Sequence, residues 1–137
     1  MPITRPDHRV SNLLGTVSQS SGAPTGSIIE QATTVNGSYI RFADGTQICY
    51  KQLTLANAGM SAAGSIFFSL AMSAGSWAAN FITTPVVAAA GTDSSGNGWA
   101  MQAIYHGPSA AGTWRTANYA GGGVTTNLWL VAIGRWF

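Results

Sequence analysis

The stretch GSYIRFADGTQICYKQLTL, Gly37 to Leu55, alternates apolar and polar positions on both sides of an Asp-Gly pair. Two such runs around Asp-Gly predict a β-hairpin, because this pair adopts positive φ at little cost. With Asp44-Gly45 as a two-residue type I′ turn, Phe42 faces Gln47, Ile40 faces Cys49 and Tyr39 faces Tyr50. Ile40, Phe42 and Cys49 then share a core face with Leu53 and Leu55. The opposite face carries Tyr39, Arg41, Ile48 and Tyr50. A water-facing surface would be more uniformly polar. This face suits a subunit interface or a ligand surface, and we assign it to an interface.

Similar runs follow at Ser65–Met72, Ala79–Ala89, Trp99–His106, Gly112–Tyr119 and Asn127–Phe137. They are separated by the turn-forming stretches SAGS, GTDSSGNG, GPSAAG and AGGGVTTN. GSIIEQATTVNG adds a short strand and a turn before the hairpin. Short strands at this spacing predict an all-β fold, a sandwich or barrel. No 3.6-residue period with caps argues for a helix. The last run has bulky residues on both faces: Trp129, Val131 and Ile133 on one, Leu128, Leu130 and Trp136 on the other. It should be central, or covered by a neighbouring subunit.

Residues 1–25 read differently. They are polar, hold Pro2, Pro6 and Pro24, and show no period. We expect an extended N-terminal arm over 1–25 and a β-sandwich domain over 26–137.

Composition sharpens the picture. Of 137 residues 46% are hydrophobic and only 7% are charged, against about 25% charged in an ordinary soluble domain. A surface so poor in charge solubilises a lone monomer badly, a first sign that sister chains cover part of it. The net charge of +2 comes from scattered cations, with no run to follow a phosphate backbone, which argues against nucleic-acid binding. The single Cys49 leaves no internal disulfide or cysteine metal cluster. MPITRPDHRV lacks the apolar core of a signal peptide. No apolar run reaches the roughly 18 residues that a membrane helix needs. We expect synthesis in a cytoplasm and no membrane insertion.

Reactive chemistry is sparse. The acids are Asp7, Glu30, Asp44 and Asp93; Asp44 belongs to a turn and Asp7 to the arm, leaving no obvious carboxylate pair for glycoside hydrolysis. His8 and His106 are the only histidines. No nucleophile elbow, phosphate loop or metal-ligand spacing is present. The expectation is a protein that is not an enzyme and holds no metal or cofactor. Aromatic residues, in contrast, are plentiful: five Trp, four Tyr and five Phe. Sugars stack their C–H faces on such rings while a few polar groups hold their hydroxyls. We expect Trp129, Trp136, Phe42, Phe67, Phe68 and Phe81 in the core. Trp77, Trp99, Trp114 and Tyr119 adjoin polar, Gly-rich loops, where either core packing or ligand binding fits. These four and the donors His106 and Arg115 are the six candidate carbohydrate-binding residues. His106 reads first as a hydrogen-bonded strand end and second as a donor, and Asp93 first as a turn former and second as a group that captures hydroxyls.

NGSYIRFADGTQICY, ANFITTPVVAAA and LWLVAIGRWF together resemble the C-terminal receptor-binding domains of tailed-phage fibres and spikes, which also occur in gene transfer agent particles. The layout is similar to the H-type lectin domain, a small antiparallel β-sandwich that assembles as trimers and in some members binds sugars. The likeness spans about residues 26–137, and LLGTVSQSSGAPTGSIIE looks like the lead-in to such domains. It implies a homotrimeric knob, exposed on a virion assembled in the host cytoplasm, that binds a bacterial surface glycan for host adsorption. Residues 1–22 would dock onto another virion protein. The alternative is a purely structural decoration or fibre-tip protein without a ligand; a free bacterial lectin fits less well, for want of a signal peptide. The candidate sugar-binding residues come from loop position, not from the resemblance.

Overall fold

A computed structural model describes residues 13–56, 59–123 and 125–137. Its strands begin with β1 (Gln19–Ser20), β2 (Ala23–Pro24), β3 (Ile29–Thr34), β4 (Gly37–Phe42), β5 (Thr46–Ala56) and β6 (Met60–Ala63). They continue with β7 (Ile66–Ser69), β8 (Met72–Ser73), β9 (Val86–Asp93), β10 (Gly98–Ile104), β11 (Thr113–Asn118) and β12 (Thr125–Arg135). None of these elements is helical. β1 pairs only with β2, while the others follow the order β3-β4-β5-β12-β9-β10-β11-β7-β6, with β8 also on β11. All the strand pairings are antiparallel.

The sheet folds over on itself at β9 and β10. Those two strands share one bridge pair, Trp99 with Thr92. β9 then runs along β12 while β10 runs along β11. At the fold, a Cβ on Gly91 would lie 2.4 Å from the Ala100 Cβ, so a glycine lets the layers close. Residues from both layers meet in one core: Cys49, Leu128, Leu130 and Ala132 from one, Trp114 from the other. Trp77 and Phe81, from the loop between β8 and β9, join the same core. The fold is thus all-β and sandwich-like.

β12 is central, between β5 and β9. Its inward Leu128, Leu130 and Ala132 are 0%, 1% and 0% exposed, whereas its outward Trp129, Val131 and Ile133 are 40%, 40% and 50% exposed. Trp129, expected in the core, lies outside it. Phe81 is in the core as expected.

The hairpin forms, one residue out of the expected register. Tyr39 pairs with Cys49, Ile40 with Ile48 and Ser38 with Tyr50. The Gly45 N–H donates to the Phe42 carbonyl at 3.0 Å, and Gly45 alone in this turn has positive φ, at 92°. This is a three-residue loop, a type I turn closed by a glycine bulge, and not type I′. The Asp44 carboxylate favours it by accepting the Thr46 N–H at 2.8 Å. A slip of one residue turns a whole strand over. Tyr39 and Arg41 therefore face inward with Gln47 and Cys49, while Ile40 and Phe42 face outward with Ile48 and Tyr50.

Two other strands differ from expectation. The run predicted over Ala79–Ala89 becomes strand only from Val86. Before it the chain bonds to a neighbouring loop, through Trp77 N–H to Ser109 O and Phe81 N–H to Pro108 O, both at 2.9 Å. The run Ser65–Met72 is split into β7 and β8. The break falls at buried Ser69, whose hydroxyl accepts the Thr116 N–H at 2.9 Å. The strands β1, β2 and β6 were not expected. Residues 13–25 are no free arm: Leu14 bridges Ile29, and buried Val17 donates its N–H to the Glu30 carboxylate at 2.9 Å. The remainder of the expected arm, residues 1–12, lies outside the described residues.

Candidate functional site

Two of the six candidate sugar-binding residues are core residues. Trp77 and Trp114 are 2% and 5% exposed. Trp77 donates its indole N–H to Gly107 O at 3.1 Å and meets Phe81 edge-on at a 6.2 Å centroid distance. The Trp114 indole donates to Ala111 O at 3.0 Å. With their N–H groups satisfied and their rings buried, neither offers a stacking surface. The small residues of SAGS and GPSAAG look like loop punctuation, but they bring their segments together over the indoles. Ala74 N–H reaches Gly112 O at 3.0 Å and Ala111 N–H reaches Gly75 O at 2.8 Å.

His106 is a structural tie. Its Nε2 lies 2.9 Å from Pro85 O, and its Nδ1 lies 3.0 Å from the Gln102 amide nitrogen. The first contact requires Nε2–H as donor and the second requires Nδ1 as acceptor, so one neutral tautomer satisfies both. The imidazole thereby joins the end of β10 to the start of β9.

Trp99, Tyr119 and Arg115 do come together, on the outer face of β10 and β11. Trp99 stands opposite Ala117, and Met101 opposite Arg115. Arg115 is therefore the diagonal neighbour of Trp99, within reach of a long side chain. The Tyr119 hydroxyl donates to Asn97 Oδ1 at 2.8 Å, holding the ring beside the β9–β10 turn. Trp99 and Tyr119 are 48% and 63% exposed. A shallow concavity of ≈ 280 Å³ lies on the Arg115 side of this face, lined by Phe68, Met101, Gln102, Ala103 and Arg115 and not by Trp99 or Tyr119.

Asp93 underpins this surface from inside. It is buried, and its Oδ1 accepts Ser95 N–H at 3.0 Å, Ser95 O–H at 2.7 Å and Asn97 N–H at 3.1 Å. Its Oδ2 accepts the Asn118 amide at 3.1 Å. Burial alone would raise this carboxyl, but the hydrogen bonds outweigh it and hold its pKa below the ordinary 3.8. Asp93 thus sets the turn that carries Asn97.

A second exposed surface lies on the outer face of the other layer. Ile40, Ile48, Tyr50, Trp129, Val131, Ile133 and Val86 adjoin across β4, β5, β12 and β9. A concavity of ≈ 380 Å³ opens between Ser38, Tyr50, Gln52, Trp129 and Val131. Among the described outward positions of β3, β4, β5, β12 and β9, the one charged side chain is Arg135, at a corner. Ile48 and Tyr50 are thus on the face expected of them. Tyr39 and Arg41 are not. Tyr39 donates its hydroxyl to the Glu30 carboxylate at 2.6 Å, a bond that raises the phenol's pKa. Trp129 is the residue that sequence reasoning missed here, although its alternation with Leu128 and Leu130 was the available signal.

The remaining reactive groups are engaged. Burial pushes the Cys49 thiol up, and its Sγ faces Ala79 O at 3.5 Å. Burial pushes the Lys51 ammonium down; it donates to Ala74 O and, at 2.9 Å, to Ser76 O. Among the described residues no three His, Cys, Asp or Glu side chains group to hold a metal ion. Comparison with protein-family models, with curated proteins and with solved structures gives no match to this chain.

Proposed function

We propose that this chain is a non-enzymatic receptor-binding module of a phage or phage-like particle, a fibre or head-spike protein that holds bacterial surface polysaccharide during adsorption. The observation that carries the reading is the exposure of Trp99 and Tyr119 together on one outer face, beside Arg115 and Asn97. Flat rings for sugar C–H faces, with a few donors and acceptors at their edges, form a shallow carbohydrate site. Such sites bind weakly one at a time, and repeated copies raise avidity without new contacts.

The module acts as a homotrimer. The charge-poor outer face around Tyr50 and Trp129 supports this, since sister chains can cover it without burying unpaired charge. The likeness of RFADGTQIC and AIGRWF to phage fibre tips, and the H-type lectin layout, agree with a knob displayed at the particle surface. Residues 1–22 would dock onto a further virion protein.

The test is adsorption to host cells and binding to immobilised surface polysaccharide. Trp99→Ala combined with Tyr119→Ala should abolish both and leave the oligomer's mass and melting temperature unchanged. The same apolar face would also serve a purely structural decoration protein, and adsorption untouched by this double variant would favour that second reading.

A further inference from the structure

We infer that the surface formed by Trp99, Tyr119 and Arg115 selects carboxylate-bearing glycans, with the Arg115 guanidinium pairing the acidic group of a sugar whose ring stacks on the aromatic floor. The inference rests on the carbohydrate-binding reading above and names its substrate class.

The disposition of charge carries it. Among the described residues each Asp and Glu side chain accepts a hydrogen bond from within the chain, Asp93 buried, Glu30 half-buried and Asp44 exposed at its turn. Glu30 accepts the Tyr39 hydroxyl and the Val17 N–H, Asp44 accepts the Thr46 N–H, and Asp93 accepts Ser95, Asn97 and Asn118. The cations are engaged too, with one exception. Arg41 bonds to Gln47 and lies against the Tyr39 and Trp136 rings. Lys51 donates to two carbonyls, as does Arg135. Arg115 is exposed and has no hydrogen-bond or ion-pair partner among the described residues. It projects from β11 opposite Met101, at the rim of the concavity that Phe68 and Met101 floor.

A guanidinium offers a planar fork of donors that matches a carboxylate in a two-point contact. No described carboxylate competes for it. The neighbouring apolar floor, with Trp99 diagonal to it, fits the opposite face of a hexose ring. Arginine is also weakly hydrated for a cation, so drawing it against a stacked sugar costs less than drawing in lysine. An uncharged sugar could use the aromatic rings but would leave the fork to water.

The experiment uses the full chain on an immobilised oligosaccharide panel graded by charge: neutral, uronate-bearing and sialylated, with carboxyl-reduced forms of the acidic members. The wild-type chain should retain the acidic members best and lose that preference after carboxyl reduction. Arg115→Gln should bind them about tenfold more weakly per site, a clearly larger loss than it shows on the neutral members, with its melting temperature and oligomer mass preserved. Arg115→Lys should fall between the two, because it keeps the charge without the fork. The preference should also shrink as salt rises.

Equal or better binding of neutral members, or an acidic preference that survives Arg115→Gln, overturns the inference. If Trp99→Ala still removes that binding, the carbohydrate reading stands without it. Failure of the wild-type chain to retain any member, neutral or acidic, overturns both.

Discussion

Arg41 and Gln47 face each other across the hairpin of β4 and β5, with the guanidinium Nε donating to Gln47 Oε1 at 2.7 Å. Gln47 is fully buried, and its amide nitrogen donates in turn to Ala79 O at 3.0 Å and Asn80 O at 3.2 Å. Arg41 itself lies 5.1 Å from the Tyr39 ring centroid and 5.3 Å from that of Trp136. One amide thus joins the hairpin, the loop before β9 and the C-terminal end. A pair first placed on opposite faces is, in the fold, a buried fastening.

Gln47→Ala should therefore destabilise the chain well beyond an ordinary strand substitution. It leaves the Ala79 and Asn80 carbonyls and the half-buried Arg41 donor without their partner, a combined loss of about 1–3 kcal/mol. Chemical denaturation should show a lower midpoint with an unchanged slope. A midpoint equal to wild type would mean that water replaces the amide without loss.

The two faces of β12 should respond oppositely. Leu130→Ala opens a cavity in the core and should cost about 2–5 kcal/mol. Val131→Lys, one residue along, places an ammonium in the proposed subunit contact, where an unpaired charge is costly to bury. Sedimentation should show dissociation to single chains that remain folded. A wild-type chain that already sediments as a monomer at micromolar concentration would remove the trimer from the reading.

Trp114→Ala and Trp99→Ala should separate packing from binding. The first removes a core indole and should cost about 3–5 kcal/mol, seen as a large drop in melting temperature. The second should leave melting nearly unchanged and weaken glycan retention. Equal thermal losses for the two would contradict the exposure of Trp99.

Acid should unfold the turn that carries Asn97. The Asp93 pKa is lowered on folding, so its contribution to stability is fully present above the ordinary value of 3.8 and is lost as pH falls through the lower, folded-state value. Asp44, also lowered by its bonds to Thr46, contributes with the same sign. Melting temperature should thus decline below about pH 4, and Asp93→Asn should flatten that decline while lowering stability at neutral pH. A variant with the wild-type acid profile would assign the effect elsewhere.

Gly45→Ala should test the turn directly. Its φ of 92° is strained for a residue with a Cβ, and that atom would sit 2.3 Å from Arg135 Nη2. A loss of about 1–3 kcal/mol is expected. Full stability in the alanine variant would argue against the glycine-bulge loop.

Much of the architecture was legible. Period-two alternation located β4, β5, β10, β11 and β12, and the bulk on both sides of NLWLVAIGRWF left β12 either central or covered by a neighbouring subunit; it lies between β5 and β9. Reading the binding surface was harder. Trp77 and Trp114 share their small, Gly-rich flanks with Trp99 and Tyr119, so local composition could not separate core from surface. What separates them is which layer each segment packs against, a matter of contacts distant in the chain. The missed β6, MSAA, carries too little side-chain pattern for alternation to show.

By itself the sequence determined the class of fold, the strands that alternate, and the scarcity of charge that leaves an apolar outer face. Alternation and composition are local quantities, and they are read directly from the order of residues. Tertiary structure decided the hairpin register, and with it the fates of Tyr39 and Arg41. Asp-Gly is compatible with more than one loop, and the selection came from distant partners: Arg135 Nη2 donates to Asp44 O at 2.8 Å and Trp136 N–H to Gly45 O at 3.0 Å. The same holds for Trp99, Tyr119 and Arg115, which become neighbours only once β10 and β11 pair.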